Sequence, residues 1–310
     1  MADLSPHLAG PIPVSLSAGP AQEAVCLAVH EADREALFAQ HSQPGWATFP
    51  KPRAEHRYEA SVLVHDGRNV RRTAIEDDTS FPHVQPMPNG EILLVGARCQ
   101  RLPDGSAQLN ARVYGPDGQL RHEFCLGDGI EDVQATLDGN VWVSYFDEGI
   151  YGNFGWGGPD GQEPLGAAGL VRFDAEGREE WQYRPPDGVG AIDDCYALNV
   201  ADGMTWAYYY SNFPLVRIDP AGNVDVWRTD VHGARAFAIC EDQVLFYGGY
   251  KEERQRCTLW RIGDGEVMDP RELRLIVPSG DRFQGTRLVG RGSILHAFDG
   301  PIWYQRDLRV

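Results

Sequence analysis

The stretch "IEDVQATLDGNVWVSYF", residues 130–146, decides the fold. An apolar run enters an Asp-Gly turn and leaves as a strand of β-branched and aromatic residues. That dipeptide between apolar runs is a strong hairpin signal, because a tight primed turn needs positive φ. The pattern recurs in "FPHVQPMPNGEILLVGA" (81–97) and "IDDCYALNVADGMTWAYYY" (192–210). Each copy is followed by a second hairpin: "ARVYGPDGQLRHEF" (111–124), "GLVRFDAEGREEWQY" (169–183) and "PLVRIDPAGNVDVWRT" (214–229). One unit is therefore an antiparallel meander of four strands, repeating at roughly 45 to 60 residues, the period of a propeller blade.

Less regular copies flank these three. Residues 22–74 supply "QEAVCLAV", "EALFA", "EASVLVHDG" and "NVRRTAI", read as four strands, and residues 234–278 supply another unit. The last segment, "GTRLVGRGSILHAFDGPIWYQRDL" (285–308), holds three strands. A missing fourth strand leaves a sheet edge that templates pairing with other chains. "PIPVSLS" (11–17) reads as the strand that closes it. The expectation is an all-β chain: a six-bladed β-propeller of four-stranded antiparallel blades, the last closed by the N-terminal strand. It forms one domain over 1–310, with blades near 20–75, 80–126, 129–185, 191–229, 233–279 and 283–308. A seven-bladed or two-sheet arrangement is the alternative.

Composition narrows the partners. A net charge of −17 repels phosphate backbones and anionic headgroups, which argues against nucleic acid and membrane surfaces. The first twenty residues lack a basic region followed by an uninterrupted apolar core, and no apolar run reaches transmembrane length. A cytoplasmic location is expected. Six cysteines (Cys26, Cys99, Cys125, Cys195, Cys240, Cys257) carry no CxxC spacing and read as reduced structural thiols.

Candidate site residues come from aligning the units on their turns. His83 falls over Asp132, and matching "IDD" to "IED" adds Asp194 to the column; later copies place Arg235 and Arg287 there. Two residues further in, the same face shows Gln85, Gln134, Tyr196 and Phe237. In a propeller the innermost strands line a central channel, so these positions converge at one mouth. Two long connections, 40–59 and 147–169, belong on the same face and carry Trp46, Tyr151, Phe154 and Trp156 among glycines, a composition suited to closing over a ligand.

The functional reading gives His83, Asp132, Asp194 and Arg235 catalytic roles. Gln85, Gln134, Tyr196, Phe154, Trp156 and Arg287 would contact substrate. Glu131, Asp132 and Asp194 would hold a divalent cation, calcium or magnesium, because clustered carboxylates either raise a pKa or recruit a cation. Arg235 and Arg287 suit a substrate carboxylate or phosphate. The bland alternative is a wet channel whose polar strand starts merely pair with one another. "VHEADRE" (29–35) lacks the second His of a zinc-protease helix, and GxSxG, P-loop and strand-GxGxxG-helix patterns are absent. His232 reads as a loop residue near the mouth, and "YKEERQR" (250–256) as a solvated tip.

The segments "DGNVWVSYFDEG…GLVRFDAEG" and "DGMTWAYYYSNFPLVRIDPAG" resemble blades of gluconolactonase-type and streptogramin-lyase-type propellers and their NHL-like relatives. The resemblance covers the third and fourth units and rests on a blade motif. It implies a divalent cation at the channel mouth, near Asp132. The chain departs from the lactonase pattern at Asp194 and Cys195, where an Asn is usual, and from the lyase pattern at Arg235 and Arg287, where His and Glu are usual. The expected function is a small-molecule-binding propeller of hydrolase or lyase type; the alternative is a non-catalytic scaffold for a protein partner.

Overall fold

Turns of positive φ punctuate the chain where the Asn-Gly and Asp-Gly steps stand. Asn89 (59°), Gly90 (79°), Gly139 (92°) and Gly203 (77°) are all left-handed. The computed structural model describes residues 1–310 except Ala9, Gln43, Trp46, Pro159, Asp160, Asp202 and Thr286, so Trp46 lies outside the described residues. Among the described residues no helix is long and apolar enough to cross a membrane.

The strands run in order β1 (Ala2–Asp3), β2 (Ile12–Ala18) and β3 (Ala24–Val29), then a short helix α1 (Arg34–Leu37) and a ribbon of β4 (Gln40–His41) with β5 (Phe49–Pro50). β6 (Arg53–His65) and β7 (Val70–Thr79) complete the first sheet, ordered β2-β3-β6-β7. β8 (Pro82–Pro86), β9 (Ile92–Gly96), β10 (Ala111–Tyr114) and β11 (Leu120–Phe124) form the second. β12 (Ile130–Ala135), β13 (Val141–Tyr145), β14 (Leu170–Phe173) and β15 (Glu179–Gln182) form the third, with helix α2 (Asp147–Tyr151) after β13.

The remaining strands are β16 (Asp194–Ala201), β17 (Met204–Tyr210), β18 (Leu215–Ile218) and β19 (Val224–Trp227), then β20 (Ala234–Cys240), β21 (Gln243–Gly248), β22 (Cys257–Ile262) and β23 (Val267–Leu273). β24 (Arg287–Arg291), β25 (Ile294–Asp299) and β26 (Ile302–Asp307) end the chain.

The chain divides into two compact units. One is Ser5–Gln182; the other is Met1–Leu4 with Tyr183–Val310. In the first, the core packs sheet against sheet: Val25, Leu27, Val62 and Ile75 meet Val84, Ile92, Leu94 and Tyr114. Full burial of such a side chain stabilises by about 1.5–3 kcal/mol. The innermost strands β2, β8 and β12 are tied by one amide. Gln85 Nε2 donates to Ser17 Oγ at 2.7 Å, and Gln85 Oε1 accepts from the Ala135 N–H at 3.2 Å. Arg112 joins β10 to β7 through Asp77, at 2.7 Å, and Tyr114 Oη donates to the same carboxylate.

In the second unit Asn199 has the matching role. Its Nδ2 donates to Phe237 O at 2.9 Å and Gly292 O at 3.1 Å, while its Oδ1 accepts from Gly292 N–H at 2.6 Å. One parallel pairing, Asn199 with Gly290, joins β16 to β24. The resulting eight-stranded order is β1-β26-β25-β24-β16-β17-β18-β19, beside the separate sheet β20–β23. A Cβ on Gly290 would stand 1.8 Å from Phe237 O, so only glycine lets β20 and β24 come this close. At the depth of Asn199 the strands β16, β20 and β24 therefore touch.

Two expectations are corrected. "PIPVSLS" does not close the last sheet; it is β2, with Leu16 paired to Cys26 and Ser17 to Val25. The last sheet takes Ala2 and Asp3 instead, opposite Trp303 and Ile302, and Leu4 N–H donates to Pro301 O at 3.0 Å. The cause lies at "EALFA": Glu35, Ala36 and Leu37, good helix formers, lie in α1, so the first sheet lacks a strand and recruits β2. Pro13 fits there, because β2 is an edge strand where a missing N–H costs little.

Asn199→Ala removes partners from several buried backbone groups at about 1–3 kcal/mol each, so its urea midpoint should fall well below that of an exposed-site control. His296 gives a pH test. Its Nδ1 accepts from Trp303 Nε1 at 3.1 Å, and burial, helped by Arg291, holds its pKa down at about 3. The folded chain refuses a proton that the unfolded chain accepts. That stability is present at neutral pH and is lost as pH falls from the ordinary His range toward about 3. The urea midpoint should drop more between about pH 7.5 and about pH 5 in wild type than in His296→Gln.

Candidate functional site

The geometry of the inner strands sets which side chains gather in the second unit. β16 and β24 are parallel, and Ile239 N–H donates to Gly292 O at 2.8 Å, two residues beyond the Phe237–Gly290 approach. β20 thus runs in the same sense as β24. Asp194, Arg235 and Arg287 open or nearly open these strands and share one end of the unit.

An aromatic wall stands at that end. The Phe213 ring lies 5.6 Å from Tyr196, 5.5 Å from Tyr208, 5.6 Å from Tyr210 and 5.2 Å from His232. Tyr196 and Tyr250 share a hydrogen bond of 2.9 Å between their hydroxyls. The Arg235 guanidinium sits 6.0 Å from the Tyr196 ring centroid, within cation–π range. Arg235 is exposed and, among the described residues, forms no ion pair. Tyr210 and Tyr250 are 47% and 44% exposed, so the wall presents rings to solvent.

Backbone strain is stored here. Asn212 (φ 66°) and Phe213 (φ 50°) are consecutive left-handed residues. Each such non-glycine residue costs on the order of 1–3 kcal/mol and persists only where its surroundings hold it. The holding groups are the buried Phe213 ring and Thr229 Oγ1, which donates to Phe213 O at 2.8 Å. Burial and the Tyr250 hydroxyl raise the pKa of Tyr196, so its hydroxyl stays protonated.

In the first unit, His83 is half-buried on β8 opposite Val95. Glu131 and Asp132 are half-buried at a bulge between Ile130 and Asp132, and Gln134 Nε2 donates to Asp132 Oδ2 at 3.2 Å. Gln134 is fully buried, and Gln85, expected against a ligand, is the amide that ties three strands. Glu131 and Asp132 lie in one unit and Asp194 in the other. Among the described residues no group of three or more His, Cys, Asp or Glu could hold a metal ion.

The 147–169 connection is docked on the preceding sheet rather than poised as an open lid. Trp156 Nε1 donates to Cys99 O at 2.9 Å, and Arg101 N–H to Phe154 O at 2.8 Å. The buried Arg98 grips Asp128 through two bonds of 2.9 and 2.8 Å, reaches Glu148 at 2.6 Å, and lies 4.4 Å from the Phe154 ring centroid. Phe49, from the other long connection, meets Phe154 at 6.3 Å. Phe154 and Trp156 are therefore anchors of the loop. Sequence reasoning missed Arg98, whose only signal was an arginine between apolar stretches in "GARCQ", and Tyr250, which looked like a solvated tip.

The family model lies in the second unit, whereas the solved structures span most of the chain. A model of the YxzG family matches residues 186–306, less than half of the chain. No curated protein sequence matches. Among solved structures, Kluyveromyces lactis Hsv2 is similar at 10% identity over 93% of this chain and 70% of that one, with a TM-score of 0.49. Virginiamycin B lyase from Staphylococcus aureus is 12% identical over 95% and 93%, with a TM-score of 0.44. The gluconolactonase XC5397 from Xanthomonas campestris is 12% identical over 95% and 96%, with a TM-score of 0.43. The distant likeness to lyase and gluconolactonase propellers noted in the sequence is found among them.

Trp156→Ala removes one anchor of the 147–169 connection. Chymotryptic cutting after the exposed Tyr151 should accelerate, by roughly tenfold for each 1.4 kcal/mol of docking lost. Timed digestion followed by mass spectrometry checks this.

Proposed function

We propose that the six four-stranded groups are the blades of a six-bladed β-propeller, and that the chain binds a small anionic molecule where β16, β20 and β24 begin. The observation that carries this reading is Arg235: exposed, seated by the Tyr196 ring, and without an acidic partner among the described residues. A guanidinium so placed offers a fork to a carboxylate or phosphate. The rings of Tyr196, Tyr210 and Tyr250 offer an apolar face to the rest of the molecule, and Tyr196 offers a hydroxyl that burial keeps protonated.

In this reading the protein is an enzyme of hydrolase or lyase type. Asp194, two residues before Tyr196 on the same strand, takes a proton from water or from the substrate. Arg235 and the Tyr196 hydroxyl stabilise the negative charge that develops on oxygen. The strain at Asn212 and Phe213 supports the assignment, because such strain concentrates at functional sites. The proposal keeps the small-molecule ligand and the cytoplasmic location expected from the sequence. A scaffold for a protein partner is the reading that replaces it if the site proves inert.

Wild type should be screened by thermal shift and turnover against small carboxylates, phosphate esters and lactones. Saturation at a hundred times Kd should add about 2.7 kcal/mol of stability. Arg235→Ala should abolish the shift, and Asp194→Asn should keep the shift and lose turnover. A ligand that stabilises Arg235→Ala as well as wild type, or no ligand at all, would overturn the reading.

A further inference from the structure

The six cysteines were expected to be inert packing residues. Four fit that role, but Cys99 and Cys125 do not stand alone. Their Sγ atoms lie 3.6 Å apart, although 26 residues separate them in the chain. Cys99 follows β9 and Cys125 follows β11, the two strands that flank β10, so the folded sheet brings them together. A disulfide would draw the two sulfurs from 3.6 Å to roughly 2.05 Å.

The surroundings favour one direction of chemistry. Cys99 is fully buried, and its Sγ donates to Gln108 O at 3.2 Å. Cys125 is half-buried, and its sulfur accepts the Gly127 N–H at 3.4 Å. The contact with the Cys99 sulfur, joined by that N–H and the charge of Arg101, lowers the Cys125 pKa against its own burial, while the same contact and burial raise that of Cys99. The thiolate, which is the reactive form, forms more easily on the more accessible sulfur.

We propose that Cys99 and Cys125 form a redox site that converts reversibly between dithiol and disulfide, with a hydroperoxide as oxidant. The Cys125 sulfur attacks a peroxide oxygen. The O–O bond breaks, and hydrogen peroxide leaves one oxygen on sulfur and releases the other as water, carrying the thiol proton. The Cys99 sulfur then attacks the Cys125 sulfur of this sulfenic acid. The S–O bond breaks, and hydroxide leaves with the Cys99 proton as water. Two thiols and one peroxide give one disulfide and two waters, and an external dithiol reverses the change. The backbone at Cys99 also receives Trp156 Nε1 at 2.9 Å, so the site lies against the docked 147–169 connection.

The test treats the full native chain with hydrogen peroxide, blocks remaining thiols with an alkylating agent, and maps peptides by mass spectrometry. The expected result is a cross-linked peptide joining Cys99 to Cys125, with both lost from the alkylated pool and restored by dithiothreitol. Cys99→Ser should instead leave a sulfenic acid on Cys125 that dimedone traps, a readout that survives even if the disulfide is not isolated. No Cys99–Cys125 cross-link from folded wild type, or dimedone labelling confined to other cysteines, would overturn the proposal. If Cys99→Ser fails to fold, Cys99→Ala serves, and the wild-type cross-link alone decides.

Discussion

Each unit depends on one buried side-chain amide at the place where its innermost strands meet. A strand at the inner edge of a sheet presents backbone N–H and C=O groups with no neighbour on one side, and buried groups of this kind need partners. Gln85 and Asn199 supply them. An amide carries both donors and an acceptor on one short stem, so it can serve a carbonyl on one strand and an N–H on another. Gln85 links β2, β8 and β12; Asn199 links β16, β20 and β24. A leucine of the same size would leave those groups orphaned, at a cost comparable to much of a domain's net stability.

The candidate site in the second unit follows from the same contact. Because Asn199, Phe237 and Gly290 lock three strands in register, the residues that start those strands have no freedom to separate. Arg235 reaches the Tyr196 ring as a result. Phe213 shows the opposite flow of energy: its buried ring holds two left-handed residues that would relax in isolation. Packing favourable at the ring offsets an unfavourable backbone, and the product is a fixed wall of tyrosines.

The turns were the most legible feature. Asn-Gly and Asp-Gly steps report positive φ directly, and the sheets that follow them appear where the repeats are. The first sheet was less legible, because "EALFA" satisfies both an apolar strand pattern and a helix, and a short run cannot separate the two. Of the proposed site residues, Asp194, Arg235 and Arg287 share an end of the second unit, because their position in the repeat fixes their position on the strand. Gln85, Gln134, Phe154 and Trp156 looked like ligand contacts, yet their polar atoms or rings serve the protein itself. Side-chain type and spacing do not distinguish an amide that binds a ligand from one that binds a backbone.

The sequence by itself determined the all-β class, the hairpins at the Asn-Gly and Asp-Gly turns and the shared placement of the strand starts in the second unit, because each of these rests on local φ preferences and on the two-residue alternation of a strand. Tertiary structure alone decided which N-terminal strand joins which sheet, that Arg98 seals the 147–169 connection, and that Cys99 meets Cys125. The physical reason is that these are contacts between segments far apart in the chain. Their partners are chosen by which backbone groups, charges and volumes remain unsatisfied once the sheets have formed, and no local window of sequence contains that information.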